Sequence, residues 1–314
     1  MKQIPVIIDC DPGVDDTLAL LLAQQIDTLD VKAITTVAGN APITHTFRNG
    51  RNVMDYIGAE IPVYRGAEKP LLRTLKTAAH IHGEDGMGGV VLPESKQPVE
   101  TEAAWDAIHR IALEEKGELT LIAVGPMTNL AIALSKYEDL PQLIQRVVIM
   151  GGAAIGGNVT PCAEFNIYED PEAAEMLFTS GIPVHMCGLD VTMEAYMTRE
   201  EIEGLATLGS KEAKLFHAVE QKALAFYEEM LHRPGVALHD PTAVLYAAYP
   251  DLFEGEWCGV RIETKGAITT GKTVTDLYSD KQFEEKNTFL ITKVDRKAFV
   301  EKVSALMAKY EMKQ

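Results

Sequence analysis

The sequence predicts an α/β fold. We expect a single domain over residues 1–314, with a mostly parallel central sheet flanked by helices and a small antiparallel extension near the C-terminus. Two observations predict it. Short β-branched runs alternate with helical patterns for most of the length. Two of those runs, 119–124 and 147–150, are almost continuously apolar, as parallel strands buried on both faces are. No linker, low-complexity tract or repeat breaks the alternation.

Element by element, residues 6–9 read as a strand, Pro12-Gly13 forces a turn, and 15–24 read as a buried helix. A second strand at 31–37 stops at Gly39-Asn40, before a helix at 43–57 and a strand at 62–64. Residues 102–115 place Ala104, Trp105, Ile108, Ile111 and Ala112 on one face of an amphipathic helix. After the two apolar strands, Asp170-Pro171 supplies an N-cap and a proline at the first helical position. A strand at 183–187 follows, and Thr198 with Glu201 has the spacing of a capping box. Beyond about residue 255 the pattern turns strand-rich (260–263, 273–277, 289–292), before a closing helix at 296–310.

Composition narrows the function classes. The chain has 314 residues, 46 % of them apolar and 24 % charged, as in an ordinary globular protein. A formal charge of −17 argues against a nucleic-acid backbone or an anionic membrane as partner, and disfavours a polyanionic substrate. Cys10, Cys162, Cys187 and Cys258 are scattered without a CxxC pair, so we expect free thiols in a reducing, cytoplasmic setting. The first five residues carry no signal-peptide pattern, and no segment approaches membrane-spanning length.

Chemistry concentrates in three islands. In the first, Asp9, Asp11, Asp15 and Asp16 crowd the turn after the first strand. Carboxylates this close repel one another unless a cation or protons neutralise them. An all-oxygen set suits Ca²⁺ or Mg²⁺; the competing reading is that Asp15 and Asp16 only cap the helix. The second island is His239-Asp240, where His239 could move a proton near neutral pH and Asp240 could either add a metal oxygen or cap a helix starting at Pro241. The third holds Asn158, Glu164 and Asn166, directional groups suited to a polyhydroxylated ligand. The glycine-rich segment 77–90 reads as a mobile loop that could serve as a lid. In an open parallel sheet Asp11 to Asp16, Asn40, Val124-Gly125-Pro126 and Gly151-Gly152 fall at the carboxyl ends of strands, where ligands bind.

Together the islands resemble the inosine-uridine nucleoside hydrolase family over nearly the whole chain. The resemblance is carried by Asp9-Cys10-Asp11-Pro12-Gly13-Val14-Asp15-Asp16, Thr36-Val37-Ala38-Gly39-Asn40, His82-Gly83-Glu84, Val124-Gly125-Pro126-Met127-Thr128-Asn129, Met150-Gly151-Gly152, Ala163-Glu164-Phe165-Asn166 and His239-Asp240. It implies hydrolysis of the N-ribosyl bond of nucleosides with one Ca²⁺ per subunit. It implies Asp11, Asp16, Asp240 and the Val124 carbonyl as calcium ligands, with Asp11 also the base for the attacking water. It further implies Asp15, Asn40, Asn158, Glu164 and Asn166 around the ribose, with Met150 against the sugar. His239 would be the acid or contact for the departing base, and His82 a base-side contact. Residues 226–233 fall where the family's variable base-recognition helix lies, with Tyr227 as its candidate contact. A homo-oligomer, tetramer or dimer, is implied, with small ribonucleosides rather than nucleic acid or membrane as partners. Two rivals share features of the sequence: a Mg²⁺-dependent phosphatase with an aspartate nucleophile, and a non-catalytic nucleoside- or ribose-binding protein.

Overall fold

The computed structural model describes residues 2–277, 283 and 285–313. Among them, eleven strands make two sheets. These are β1 (Ile4–Cys10), β2 (Leu29–Thr36), β3 (Val63–Arg65), β4 (Leu119–Ala123), β5 (Ile144–Met150), β6 (Val184–Cys187), β7 (Tyr196–Thr198), β8 (Gly235–Ala237), β9 (Phe253–Ile262), β10 (Thr273–Asp276) and β11 (Thr288–Val294). The large sheet runs β10-β9-β11-β6-β5-β4-β1-β2-β3, and β7 pairs with β8 separately. From β3 across to β11 every pairing is parallel. Only β9 runs the other way, against β11 and β10.

The expected antiparallel extension is therefore an edge of the main sheet rather than a separate layer. β4 is buried along its whole length and β5 from Val147 onward, because helices cover both faces there. Along β1, Val6, Ile8 and Cys10 join one core cluster with the helices Val14–Ala23 and His239–Ala248, while Ile7 joins the other with Ala104–Glu115 and Thr128–Lys136. That alternation is the period of two that a pleated strand imposes.

Strand order positions the site. β1 is followed by β2 and β3 in one direction, whereas β4, β5 and β6 fill in on its other side. Connections diverge between β1 and β4, opening a crevice at their carboxyl ends, the place where such sheets bind ligands. Asp11 leaves β1 at that point and Val124 leaves β4 beside it.

Three local expectations change. The small β7–β8 sheet, absent from the sequence reading, ties Tyr196–Thr198 to the segment leading into His239. Residues 226–233 are not one helix. The helix Lys211–Glu229 ends partway through them, His232 takes a left-handed φ of 52°, and Pro234 cannot continue a helix. Residues 79–82, expected within a loop, form the short helix Ala79–His82.

Candidate active site

The first island folds as a tight knot. Helix Val14–Ala23 starts at the Pro12-Gly13 turn, and Asp16 closes that turn by accepting hydrogen bonds from the Gly13 amide (2.9 Å) and the Asp11 amide (3.1 Å). Asn40, at the end of β2, stitches across: its amide donates to Asp11 Oδ2 at 2.6 Å and its Nδ2 to Asp16 Oδ2 at 3.2 Å. Two glycines make room for the Asp11 carboxylate. A side-chain carbon on Gly125 would sit 2.7 Å from Asp11 Oδ1, and one on Gly39 would overlap Oδ2. This gives a physical reason for glycine in both the Thr36–Asn40 and Val124–Asn129 motifs.

Asp240 arrives from the other end of the chain. It lies in the first turn of helix His239–Ala248, whose N-cap is Leu238, so Asp240 does not cap a helix beginning at Pro241. Instead, oxygens of Asp15, Asp16 and Asp240 lie within 4.8 Å of one another. Asp11 stands outside that triplet but adjoins it through Asp16 and Asn40. Burial, then the charge of Asp16, pushes the Asp11 carboxyl well above the usual range. Burial, then Asp15, pushes Asp16 up to about 7. Asp240 is raised well above its ordinary value by burial, followed by Asp15, Asp16 and Asp11.

These residues fit a hard divalent cation. Asp11 Oδ1 and Asp15 Oδ1 are buried with no hydrogen-bond partner among the described residues. Unpaired buried carboxylate oxygens are what an oxygen-ligated cation relieves. No cysteine joins the cluster, and its donors are all oxygens.

A cavity of about 710 Å³ opens over this knot. All the site residues expected from the sequence line it except Asp11 and Asp16, which are almost completely buried next to it. On the flank from β5, Glu164 caps helix Phe165–Glu169 and accepts from the amides of Gly152 (2.8 Å) and Asn166 (3.1 Å). Burial nevertheless pushes it up to about 7. Asn166 Nδ2 donates to the carbonyls of Val124 (2.7 Å) and Met150 (3.0 Å), tying β4 to β5 at their ends. Asn158 Oδ1 accepts from the Phe165 amide at 3.0 Å.

The opposite flank is built differently. The His239 ring lies 2.8 Å from Thr192 Oγ1 through Nδ1 and 2.6 Å from the Tyr227 hydroxyl through Nε2. Burial lowers the His239 pKa, the charge of Asp15 opposing, so the ring is mostly neutral near pH 7. His82 Nδ1 accepts from the Val14 amide at 3.3 Å and lies 4.0 Å from Asp15 Oδ1. Glu220, Ala223, Phe226 and Tyr227, all from helix Lys211–Glu229, complete this wall.

Two findings escaped the sequence reading. Asp9 is not part of the acidic cup. It is fully buried, accepting from Thr35 Oγ1 (2.6 Å) and Asn129 Nδ2 (2.7 Å), and burial pushes it to about 6. Asn129 also donates to the Thr36 carbonyl (3.0 Å) and accepts from the Ala67 amide (2.8 Å), so the pair ties β1, β2 and the loop after β3 together. The second is Glu220. Its signal was an acid at a position that a helical period puts on the buried face with Phe216, Ala223 and Tyr227.

Residues 6–301 match the family described as inosine-uridine preferring nucleoside hydrolase. The chain is similar to the pyrimidine-specific ribonucleoside hydrolase RihA of Photobacterium profundum, 41 % identical over 315 aligned positions that cover 98 % of this chain and 99 % of that one. It is similar to the non-specific ribonucleoside hydrolase RihC of Escherichia coli at 40 % identity over 275 positions, 88 % of this chain and 89 % of the other. Among solved structures, the purine-preferring ribonucleoside hydrolase of Gardnerella vaginalis superposes with a TM-score of 0.93 at 32 % identity, covering 99 % of this chain and all of that one.

Proposed function

The chain belongs to the inosine-uridine preferring nucleoside hydrolase family and is a ribonucleoside hydrolase; on that premise we propose that it splits both purine and pyrimidine ribonucleosides to ribose and free base, with Asp11 activating the water. The phosphatase and pure binding-protein rivals do not survive that membership. We take residues 1–314 as one catalytic domain, because the cup draws Asp11 and Asp16 from one end of the chain and Asp240 from the other.

The observation that supports the mechanism is the buried, unpartnered Oδ1 of Asp11 at the foot of the cavity. Asp11, Asp16, Asp240 and the Val124 carbonyl would hold Ca²⁺, with Asp15 near enough to share in the cup. When bound, calcium supplies compensating charge and a fixed point for water and sugar hydroxyls. Asp11 then takes the proton of the attacking water at Oδ1, while its Oδ2 stays pinned by Asn40. Asp15, Asn40, Asn158, Glu164 and Asn166 hold the ribose hydroxyls, and Met150 packs against the ring. Anionic oxygens around the sugar favour the positive charge that grows as the C1′–N bond opens. His239, joined to the Tyr227 hydroxyl, hands the departing base its proton, and His82 contacts that base.

Among the described residues, no helix is long and apolar enough to cross a membrane. A cytoplasmic place in nucleoside catabolism and salvage, and assembly as a tetramer or dimer, complete the reading. The test is ribose release from inosine, adenosine, guanosine, uridine and cytidine in calcium. We expect turnover of at least one purine and one pyrimidine nucleoside. Binding of inosine without release of ribose from any of the five would overturn the proposal.

A further inference from the structure

The helix Lys211–Glu229 turns Glu220, Ala223 and Tyr227 toward the cavity, residues spaced so that one face of a helix carries all three. Glu220 is about 1 % exposed, and neither of its carboxyl oxygens has a hydrogen-bond partner among the described residues. A buried carboxyl left unpaired is destabilising, and nothing in the packing offsets it. Asp15 and Tyr227 are near enough for their charges to act on it or feel it. Glu220 thus stands on the wall that also carries Tyr227 and faces His82 and His239, the two residues assigned above to the departing base.

We infer that Glu220 reads the hydrogen-bonding edge of the nucleobase, offering one donor and one acceptor from a neutral carboxylic acid. The inference rests on the hydrolase reading above and names one of its specificity residues. Burial, then the charge of Asp15, raises the Glu220 pKa well above the usual carboxylate range, which favours the neutral acid. A neutral carboxyl presents O–H and C=O side by side, and either oxygen can carry the proton. That pairing complements the amide edge of uracil, hypoxanthine or guanine and equally the amidine edge of adenine or cytosine. An acid here suits broad base acceptance; an ionised carboxylate, which only accepts, would not.

The experiment compares wild type with Glu220→Leu and Glu220→Gln in calcium. For each, kcat/KM is measured on inosine, adenosine, uridine and cytidine and divided by kcat/KM on p-nitrophenyl β-D-ribofuranoside, whose leaving group has neither edge. Loss of one buried hydrogen-bonded pair predicts a fall in that ratio of about tenfold to hundredfold for the leucine variant. Glutamine, which also offers a donor and an acceptor, should keep the ratio within about threefold. The leucine variant should also melt higher than wild type, since an unpaired buried acid has gone. An unchanged ratio in Glu220→Leu overturns the inference, as does a glutamine variant that falls equally far. Wild type that releases ribose from no nucleoside would instead sink the hydrolase reading itself.

Discussion

The two ends of one cavity are built on opposite terms. At the sugar end, side chains from β1, β2, β4 and β5 are locked by short contacts. Asn40 holds Asp11 and Asp16, Glu164 holds one loop amide and one helix amide, and Asn166 spans the ends of β4 and β5. Each such bond fixes a position to a few tenths of an ångström, which the chemistry of one sugar and one water demands. At the base end the wall is one long helix, one short helix and a rim where Ile155 and Leu231 stand exposed. The Glu220 carboxyl there has no hydrogen-bond partner among the described residues. On the proposed reading, the sheet carries the residues of the reaction, and the helices of the opposite wall carry those that choose the base.

The largest expected effect tests the rigid end. Asp11→Asn keeps an oxygen for the Asn40 amide but removes the proton acceptor and one charge of the cup. We expect kcat to fall by about 10³-fold or more on every nucleoside and on p-nitrophenyl riboside alike. Steady-state kinetics on the calcium-loaded variant checks this. Retention of a tenth of the wild-type kcat would remove Asp11 from the base role.

The next effect is on stability. Glu164 and Asp16 sit at about 7 and Asp9 at about 6, all raised by burial. A raised carboxyl keeps its proton in the folded state after the unfolded chain has lost it. Between about pH 4 and pH 7 the native form therefore binds more protons, and stability falls as pH rises. For Glu164 alone the loss is on the order of 3 kcal/mol by pH 8. Thermal melts of calcium-free protein should show Tm dropping by several degrees from pH 5 to pH 8. Saturating calcium should relieve the share of Asp16 and leave that of Glu164 and Asp9. A metal-free Tm that is flat or rising across this range would contradict the burial argument.

How much of this was legible follows from the same division. The strands showed because both faces of β1, β4 and β5 are apolar, and the cup showed because acids at a strand end have few other uses. Asp170 and Thr198 cap their helices as their spacing predicts. Asp9 misled because sequence proximity to Asp11 says nothing of direction, and only the Asn129 contact, 120 residues away, reveals its structural duty. Asp240 as cap or ligand could not be decided without knowing that the helix begins at His239. Glu220 was passed over because a single acid in a helical pattern looks like a solvated face unless its period is read against Phe216, Ala223 and Tyr227.

The smallest effect asks whether His239 belongs to the chemistry or to the adjustable wall. Its ring is held between Thr192 and Tyr227, and its pKa is lowered by burial, so the charged form is scarce at neutral pH. Only the scarce imidazolium has a proton to give to the departing base, directly or through the Tyr227 hydroxyl, and the ring returns to its neutral form as it does so. We therefore expect His239→Ala to lose about 10²-fold in kcat on inosine, the low end for proton transfer. On p-nitrophenyl riboside, whose phenoxide departs without a proton, the loss should be no more than a few-fold. Equal losses on both substrates would make His239 a positioning residue of the wall. A difference of tenfold or more between the two substrates would make it the one part of the base end that takes part in breaking the bond.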